Sequence, residues 1–207
     1  VYDATNPERL EVRAGLPFSD ASSIEVVGDV SYIYAAAEIH VLDLSQPTDP
    51  AVERSVPAWG SEIRVFDDLL VVTGGDRAQL FDLSGASAPT LASELYLPET
   101  EYGADPTRGA VRIGSTLLVG AQSGGVAVVD IGLLEEPTLL RSIAIESQVN
   151  DLFLDGEELI VATNDGLRAF DVSDARDPVE MTRFAALEGN RVSSLARWGD
   201  DLLALAG

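Results

Sequence analysis

Residues 40–50 read HVLDLSQPTDP: an apolar run that closes on Asp43, a polar turn, then Pro50 seven residues past the aspartate. The same order of events returns four times. It reads VYDATNP at 1–7, QLFDLSGASAP at 79–89, AVVDIGLLEEP at 127–137 and RAFDVSDARDP at 168–178. The aspartates are Asp3, Asp43, Asp82, Asp130 and Asp171, spaced by 40, 39, 48 and 41 residues, with proline at +7 in four of the five (Pro50, Pro89, Pro137, Pro178). The first repeat departs, carrying Pro7 at +4. A period of this length is a supersecondary unit that cannot bury its apolar face alone and must stack on its neighbours.

Between these segments lies a second recurring feature. Apolar strands flank a tight polar hairpin at Gly28-Asp29, Asp67-Asp68, Gly114-Ser115, Asp155-Gly156 and Gly199-Asp200. Glycine and aspartate supply the positive φ or side-chain-capped geometry such turns need. Each unit therefore predicts four short antiparallel strands, and no stretch keeps the 3.6-residue period of a substantial helix. The fold class that follows is all-β: a single five-bladed β-propeller over residues 1–207, four antiparallel strands per blade. Running on from Asp171 past Gly207 to Asp3 gives a fifth interval of 39 residues, in line with the others. The last blade is thus expected to be shared, its inner strands from SSLARWGDDLLALA (193–206) and its outer strands from Val1–Leu16. Pairing the two halves removes an open sheet edge.

The segments VLDLSQPTDP and AFDVSDARDP, with the strands LIVATNDGL and YIYAAAEI that accompany them, resemble the LVIVD-repeat β-propellers. The resemblance runs through all five units. It implies a secreted or cell-surface protein, or a domain of a larger surface protein, and it implies no particular activity. The third and fourth units lose the usual Ser-x-Pro spacing, the fourth reading Asp130-Ile131-Gly132, and different turns are expected there.

Composition narrows the partners. The net charge of −22 opposes binding to nucleic acid, which needs clustered cations. It equally opposes anionic membrane surfaces. All 13 basic residues are arginine, and cysteine is absent, which removes disulfides and thiolate chemistry together. No apolar run is long enough to insert into a membrane. No cofactor and no metal site is expected, and the domain is expected to be monomeric.

Which residues could act? The recurrent aspartates are read as caps that accept backbone N–H bonds in the following turn, because five-fold repetition suits architecture better than an asymmetric site. His40, the single histidine, is read as a packed side chain. Glu25, Glu62 and Asp151 fall near the starts of inner strands. Of these, Glu62 and Asp151 define the catalytic alternative, a glycosidase-like pair of carboxylates across an axial pocket. Meander topology places the hairpin and post-aspartate turns on one acidic face and the remaining loops on the other. That second face collects Trp59, Tyr102, Arg108, Asn150 and Arg191, the residues expected to bind a ligand, with the longest loop around Glu99–Arg108. The leading expectation is a non-catalytic binding module for an unknown protein or glycan. A purely structural scaffold is the third.

Overall fold

The computed structural model describes residues 2–3, 11–12, 15–16, 18, 20–46, 49–85, 88–97, 106–122, 125–183, 190–199 and 201–206. Twenty strands and no helix run through them. The first two, β1 (Tyr2–Asp3) and β2 (Glu11–Val12), form a two-stranded sheet. Four four-stranded antiparallel meanders follow. They are β3–β6 (Ser23–Val27, Val30–Ala35, Glu38–Asp43, Ala51–Pro57) and β7–β10 (Glu62–Phe66, Leu69–Gly74, Arg77–Asp82, Thr90–Tyr96). Then come β11–β14 (Thr107–Ile113, Thr116–Ala121, Gly125–Asp130, Thr138–Ile143) and β15–β18 (Val149–Asp155, Glu158–Thr163, Gly166–Asp171, Val179–Arg183). The chain ends in a two-stranded sheet of β19 (Val192–Trp198) and β20 (Asp201–Ala206). No helix among the described residues is long and apolar enough to cross a membrane.

The repeat read in the sequence is this meander. In all four complete sheets the recurrent aspartate ends the third strand, and its carboxylate accepts the N–H two residues on: Ser45 at 2.7 Å, Ser84 at 2.7 Å, Gly132 at 2.8 Å and Ser173 at 2.8 Å. Gly132 therefore turns as the serines do, and the departures in the third and fourth units do not change the cap. A second bond repeats beside it. Leu44, Leu83, Ile131 and Val172 each donate a backbone N–H to the first hairpin of their own sheet, at Asp29, Asp68, Ser115 and Glu157. These bonds put hairpin and post-aspartate turns on one face of the molecule. The first hairpin residue has positive φ in every unit: Gly28, Asp67, Gly114, Gly156 and Gly199. The fourth turn is Gly156-Glu157, one residue beyond the expected Asp155-Gly156, because Asp155 still belongs to the strand. Of these five, Asp67 holds that conformation without being glycine, one that Asp tolerates better than most residues.

Burial explains the strand order. The second strand of the second complete sheet, Leu69–Gly74, is buried throughout, because that sheet packs between the first and the third. The clusters are accordingly interfacial. Ile39 of the first complete sheet meets Ile63, Leu70 and Phe81 of the second. Leu80 and Leu95 meet Leu117 and Val129. Val128 and Ile143 meet Leu152 and Phe170. Ile160 and Ala162 meet Val192 and Leu195. Inner strands β7, β11, β15 and β19 thus stand side by side around a common axis.

Candidate functional site

Alternation along β7 puts Glu62, Arg64 and Phe66 on the same side of the strand. Arg64 sits at the convergence of the inner strands. Its Nη2 donates to Glu62 Oε1 at 2.7 Å and to Asp151 Oδ1 at 3.3 Å, and its Nη1 lies 3.4 Å from Glu25 Oε1. One guanidinium so joins β3, β7 and β15. The carboxylates are further engaged. Glu62 Oε2 accepts the N–H of Gly109 at 3.1 Å, from β11. Asp151 Oδ2 accepts the N–H of Leu195 at 2.8 Å, from β19, and Oδ1 accepts the N–H of Leu152 at 2.9 Å.

Two local devices allow this convergence. The register of β11 slips between Arg108 and Ala110, and that of β15 between Val149 and Asp151. Such bulges re-aim a strand's side chains and backbone. Gly109 occupies the first bulge at φ +62°, and a Cβ there would lie 2.9 Å from the Leu152 nitrogen. Only glycine lets the two inner strands approach this closely.

The electrostatics follow from burial. Desolvation raises the Glu62 carboxyl above its ordinary value, and the negative charge of Asp151 adds to it, while Arg64 and the Gly109 N–H pull the other way. For Arg64, burial works to lower the pKa, but Glu62, Asp151 and Glu25 outweigh it and hold the guanidinium more firmly charged. Toward the hairpin-turn face the axis opens into a cavity of about 380 Å³ walled by Phe66, Phe153, Leu154 and Leu195, with Arg64 and Arg112 contributing the cations. Arg112 is held by Asp68 at 2.6 Å. No cluster of three or more histidine, cysteine or acidic side chains among the described residues is placed to hold a metal.

Four of the residues named for recognition, Trp59, Arg108, Asn150 and Arg191, lie among the described residues, toward the opposite face. Trp59 is 57% exposed, and its indole Nε1 lies against Gly75, where a Cβ would approach to 3.1 Å. The Gly75 carbonyl accepts the N–H of Thr107, so Trp59 and Arg108 share one end of the molecule. Asn150 lies at the same end, but its amide is committed. Its Nδ2 donates to Asn164 Oδ1 at 3.0 Å and to the Val192 carbonyl at 2.8 Å, tying β15 to β19. Arg191 is exposed just before β19. Tyr102 and most of the long loop at 99–108 lie outside the described residues.

Around Trp59 the fold assembles partners that the sequence pattern does not single out. The Trp59 N–H donates to Gln79 Oε1 at 2.5 Å, and Gln79 Nε2 donates to Glu94 Oε1 at 2.6 Å. Tyr96, 56% exposed, donates its hydroxyl to Glu94 Oε2 at 3.2 Å. The Arg77 guanidinium carbon lies 4.9 Å from the Tyr96 ring centroid and 6.0 Å from that of Trp59, within cation–π range of both. Gln79, Arg77, Glu94 and Tyr96 come from β9 and β10, and only cross-strand pairing brings them together: Glu94 faces Gln79, and Tyr96 faces Arg77. His40 is buried, its Nδ1 2.7 Å from Ser55 Oγ and its Nε2 3.2 Å from the Ala35 carbonyl.

Stacked four-stranded meanders about a polar axis make this an all-β protein of the β-propeller class, and solved structures agree. The β-propeller domain of Cps50 (Swd1) from Myceliophteria thermophila superposes with a TM-score of 0.68 at 18% identity, over 90% of this chain and 65% of that one. A putative 6-phosphogluconolactonase from Bacteroides uniformis gives 0.74 at 10% identity, over 93% and 72%. The periplasmic gluconolactonase of Pseudomonas aeruginosa gives 0.68 at 14%, over 90% and 57%. The chain spans 57–72% of the length of these solved chains. Within it, residues 19–57 match the LVIVD repeat, and they span the first complete sheet of the propeller fold. No curated protein matches the chain.

Proposed function

We propose that the chain closes into a five-bladed ring and acts as a non-catalytic binding module of a secreted or cell-surface protein. Closure is supported by register. In the four complete sheets the aspartate of the third strand pairs with the residue eight positions on: Asp43 with Ala51, Asp82 with Thr90, Asp130 with Thr138 and Asp171 with Val179. In β1–β2, Asp3 pairs with Glu11 in the same relation. The first and second strands likewise pair three apart at their hairpins, Phe66 with Leu69 and Ile113 with Thr116, and β19–β20 repeats this with Trp198 and Asp201. One two-stranded sheet is thus the outer half of a blade and the other the inner half. Each of the two sheet faces they would close leaves apolar side chains in solvent: Ile24 and Val26 on β3, Leu203 and Leu205 on β20.

The observation that carries the non-catalytic reading is the occupation of the axial carboxylates. Every oxygen of Glu62 and Asp151 accepts a bond from the inner strands or Arg64. A general acid or nucleophile needs an oxygen aimed at substrate. A scaffold without a ligand, for its part, has no use for two half-exposed aromatic rings, one held by its hydroxyl and the other by its backbone.

The hydrolase alternative rests on the raised Glu62 carboxyl, with Asp151 held beside it through Arg64, since acid–base catalysis also uses a carboxyl raised by burial. Two fold relatives bear lactonase names, which adds lactones to the substrates worth assaying. The test is hydrolysis of nitrophenyl glycosides and of gluconolactone by the protein and by its Glu62→Gln and Asp151→Asn variants. The binding-module reading expects no turnover above the solvent rate. Turnover that disappears in both variants would overturn it in favour of the paired-carboxylate enzyme.

A further inference from the structure

Resting on the binding-module reading, we infer that the Trp59–Arg77–Tyr96 cluster is a subsite for a neutral saccharide chain. Two large rings stand more than half exposed on one rim of the second complete sheet. Neither is free to wander. Trp59 is fixed through its backbone to Gln79, which is 5% exposed, and its indole rests on Gly75. Tyr96 is fixed through its hydroxyl to Glu94 and by the Arg77 Nη1 at 2.9 Å. Rings ordered before a ligand arrives lose little entropy on binding, and tryptophan, tyrosine and arginine are the side chains that dominate recognition.

The chemistry between the rings selects the ligand. The Asp76 and Glu94 carboxylates keep acceptor capacity beyond their bonds to Arg77, Gln79 and Tyr96. Arg77 keeps N–H donors beyond those it gives to Asp76, Glu94 and Tyr96, and the tyrosine hydroxyl, its proton given to Glu94, can still accept. A ligand for this strip must offer flat apolar surface to the rings together with groups that donate and accept at once. A pyranose has both: an apolar face of C–H bonds and a rim of hydroxyls. A proline-rich peptide would offer the apolar surface, but its carbonyls only accept and leave the carboxylates unanswered. A cationic side chain would compete with Arg77, which already occupies the position over both rings. An anionic ligand, phosphorylated or sulfated, would approach a chain of net charge −22 and be repelled. The neutral saccharide meets none of these penalties.

The experiment titrates the protein with cellohexaose, maltohexaose, xylohexaose, chitohexaose and mannohexaose, and separately with a hexa-arginine and a polyproline peptide. Calorimetry and tryptophan fluorescence serve as readouts, the latter in a Trp198→Phe background so that Trp59 is the sole emitter. Saccharide binding that shifts Trp59 emission and weakens by about tenfold or more in both Trp59→Ala and Tyr96→Ala is the expected result. Circular dichroism and melting of the variants check that the fold is kept. Saccharide binding indifferent to both substitutions would overturn the subsite. Peptide binding that depends on Trp59, with no saccharide binding, would overturn the ligand class and leave the binding-module reading intact. Absence of binding by every probe would overturn the inference outright.

Discussion

Arg64 and Asp151 lie 87 residues apart in sequence and meet at 3.3 Å on the axis. They belong to the second and fourth complete sheets, with the third between them, so the contact exists only because the inner strands curve around a narrow centre. Both groups are largely withdrawn from solvent, Asp151 at 6% side-chain exposure and Arg64 at 31%. Removing one member of such a group leaves uncompensated charge behind.

Arg64→Met is therefore expected to destabilise the protein at neutral pH by roughly 3 kcal/mol, the lower end for a buried ion pair because Arg64 keeps some solvent contact. Urea unfolding would measure it. Because the exposed penalty is carboxylate repulsion, the deficit should shrink as the pH is lowered and the Glu62 carboxyl, raised by burial, protonates. A loss below about 0.5 kcal/mol would mean the axial pairs behave as surface pairs do.

Opposite pH dependences are expected for two carboxylates. Glu62 titrates above its ordinary 4.5; a folded value above the unfolded one means its contribution is fully present at pH below 4.5 and is lost as the pH rises through the folded value. Asp171 titrates below its ordinary 3.8 because the Ser173 N–H and hydroxyl favour its anion; its contribution is present above 3.8 and is lost as the pH falls through the folded value. The stability of Glu62→Gln relative to the parent should thus improve with rising pH, and that of Asp171→Asn should worsen. Melting curves of the three proteins across the acid range decide this, and parallel pH profiles would contradict it.

Gly109→Ala should cost about 2 kcal/mol or more. The substitution places a side chain at positive φ, at about 1–2 kcal/mol, and drives its Cβ to 2.9 Å from the Leu152 backbone nitrogen. Gly114→Ala shares the positive φ but meets nothing within 4 Å, so it isolates the conformational part. The difference between the two melting points measures the close approach of the inner strands.

Closure makes a register prediction. Second-strand residues Val30, Leu69, Thr116 and Glu158 pair with Asp43, Asp82, Asp130 and Asp171. The equivalent pair is Asp201 with Asp3, which sets Leu202 opposite Tyr2. In a chain without cysteine, the double variant Tyr2→Cys, Leu202→Cys should oxidise to one intramolecular disulfide and melt at a higher temperature than its reduced form. Failure to form the bond, or formation only between two molecules, would contradict ring closure within one chain.

The blade was legible in the sequence because its determinants are local. The cap from Asp43 to Ser45 and the hairpin at Gly28 depend on residues two or three apart, and such features repeat as strings. Glu25, Glu62 and Asp151 were likewise legible as acids at inner-strand starts. What organises them was not. Arg64 has no counterpart in the other units, and its partners lie 39 and 87 residues away. The Trp59 surroundings were hidden for a related reason: Gln79, Glu94 and Tyr96 read as ordinary alternating strand residues until pairing of β9 with β10 sets them side by side. Asn150 shows the converse, a polar residue read as available whose amide the neighbouring blade already claims.

Repeat proteins whose units touch only their neighbours unfold piecemeal, since losing an end unit leaves the rest with the contacts it had. The guanidinium of Arg64 breaks that rule here. Strands β3, β7 and β15 hold it directly, and β11 and β19 hold its carboxylates, so no inner strand can leave without disturbing a bond in another. A chain assembled from interchangeable pieces is in this way made to melt as one, and its weakest unit inherits the stability of the whole.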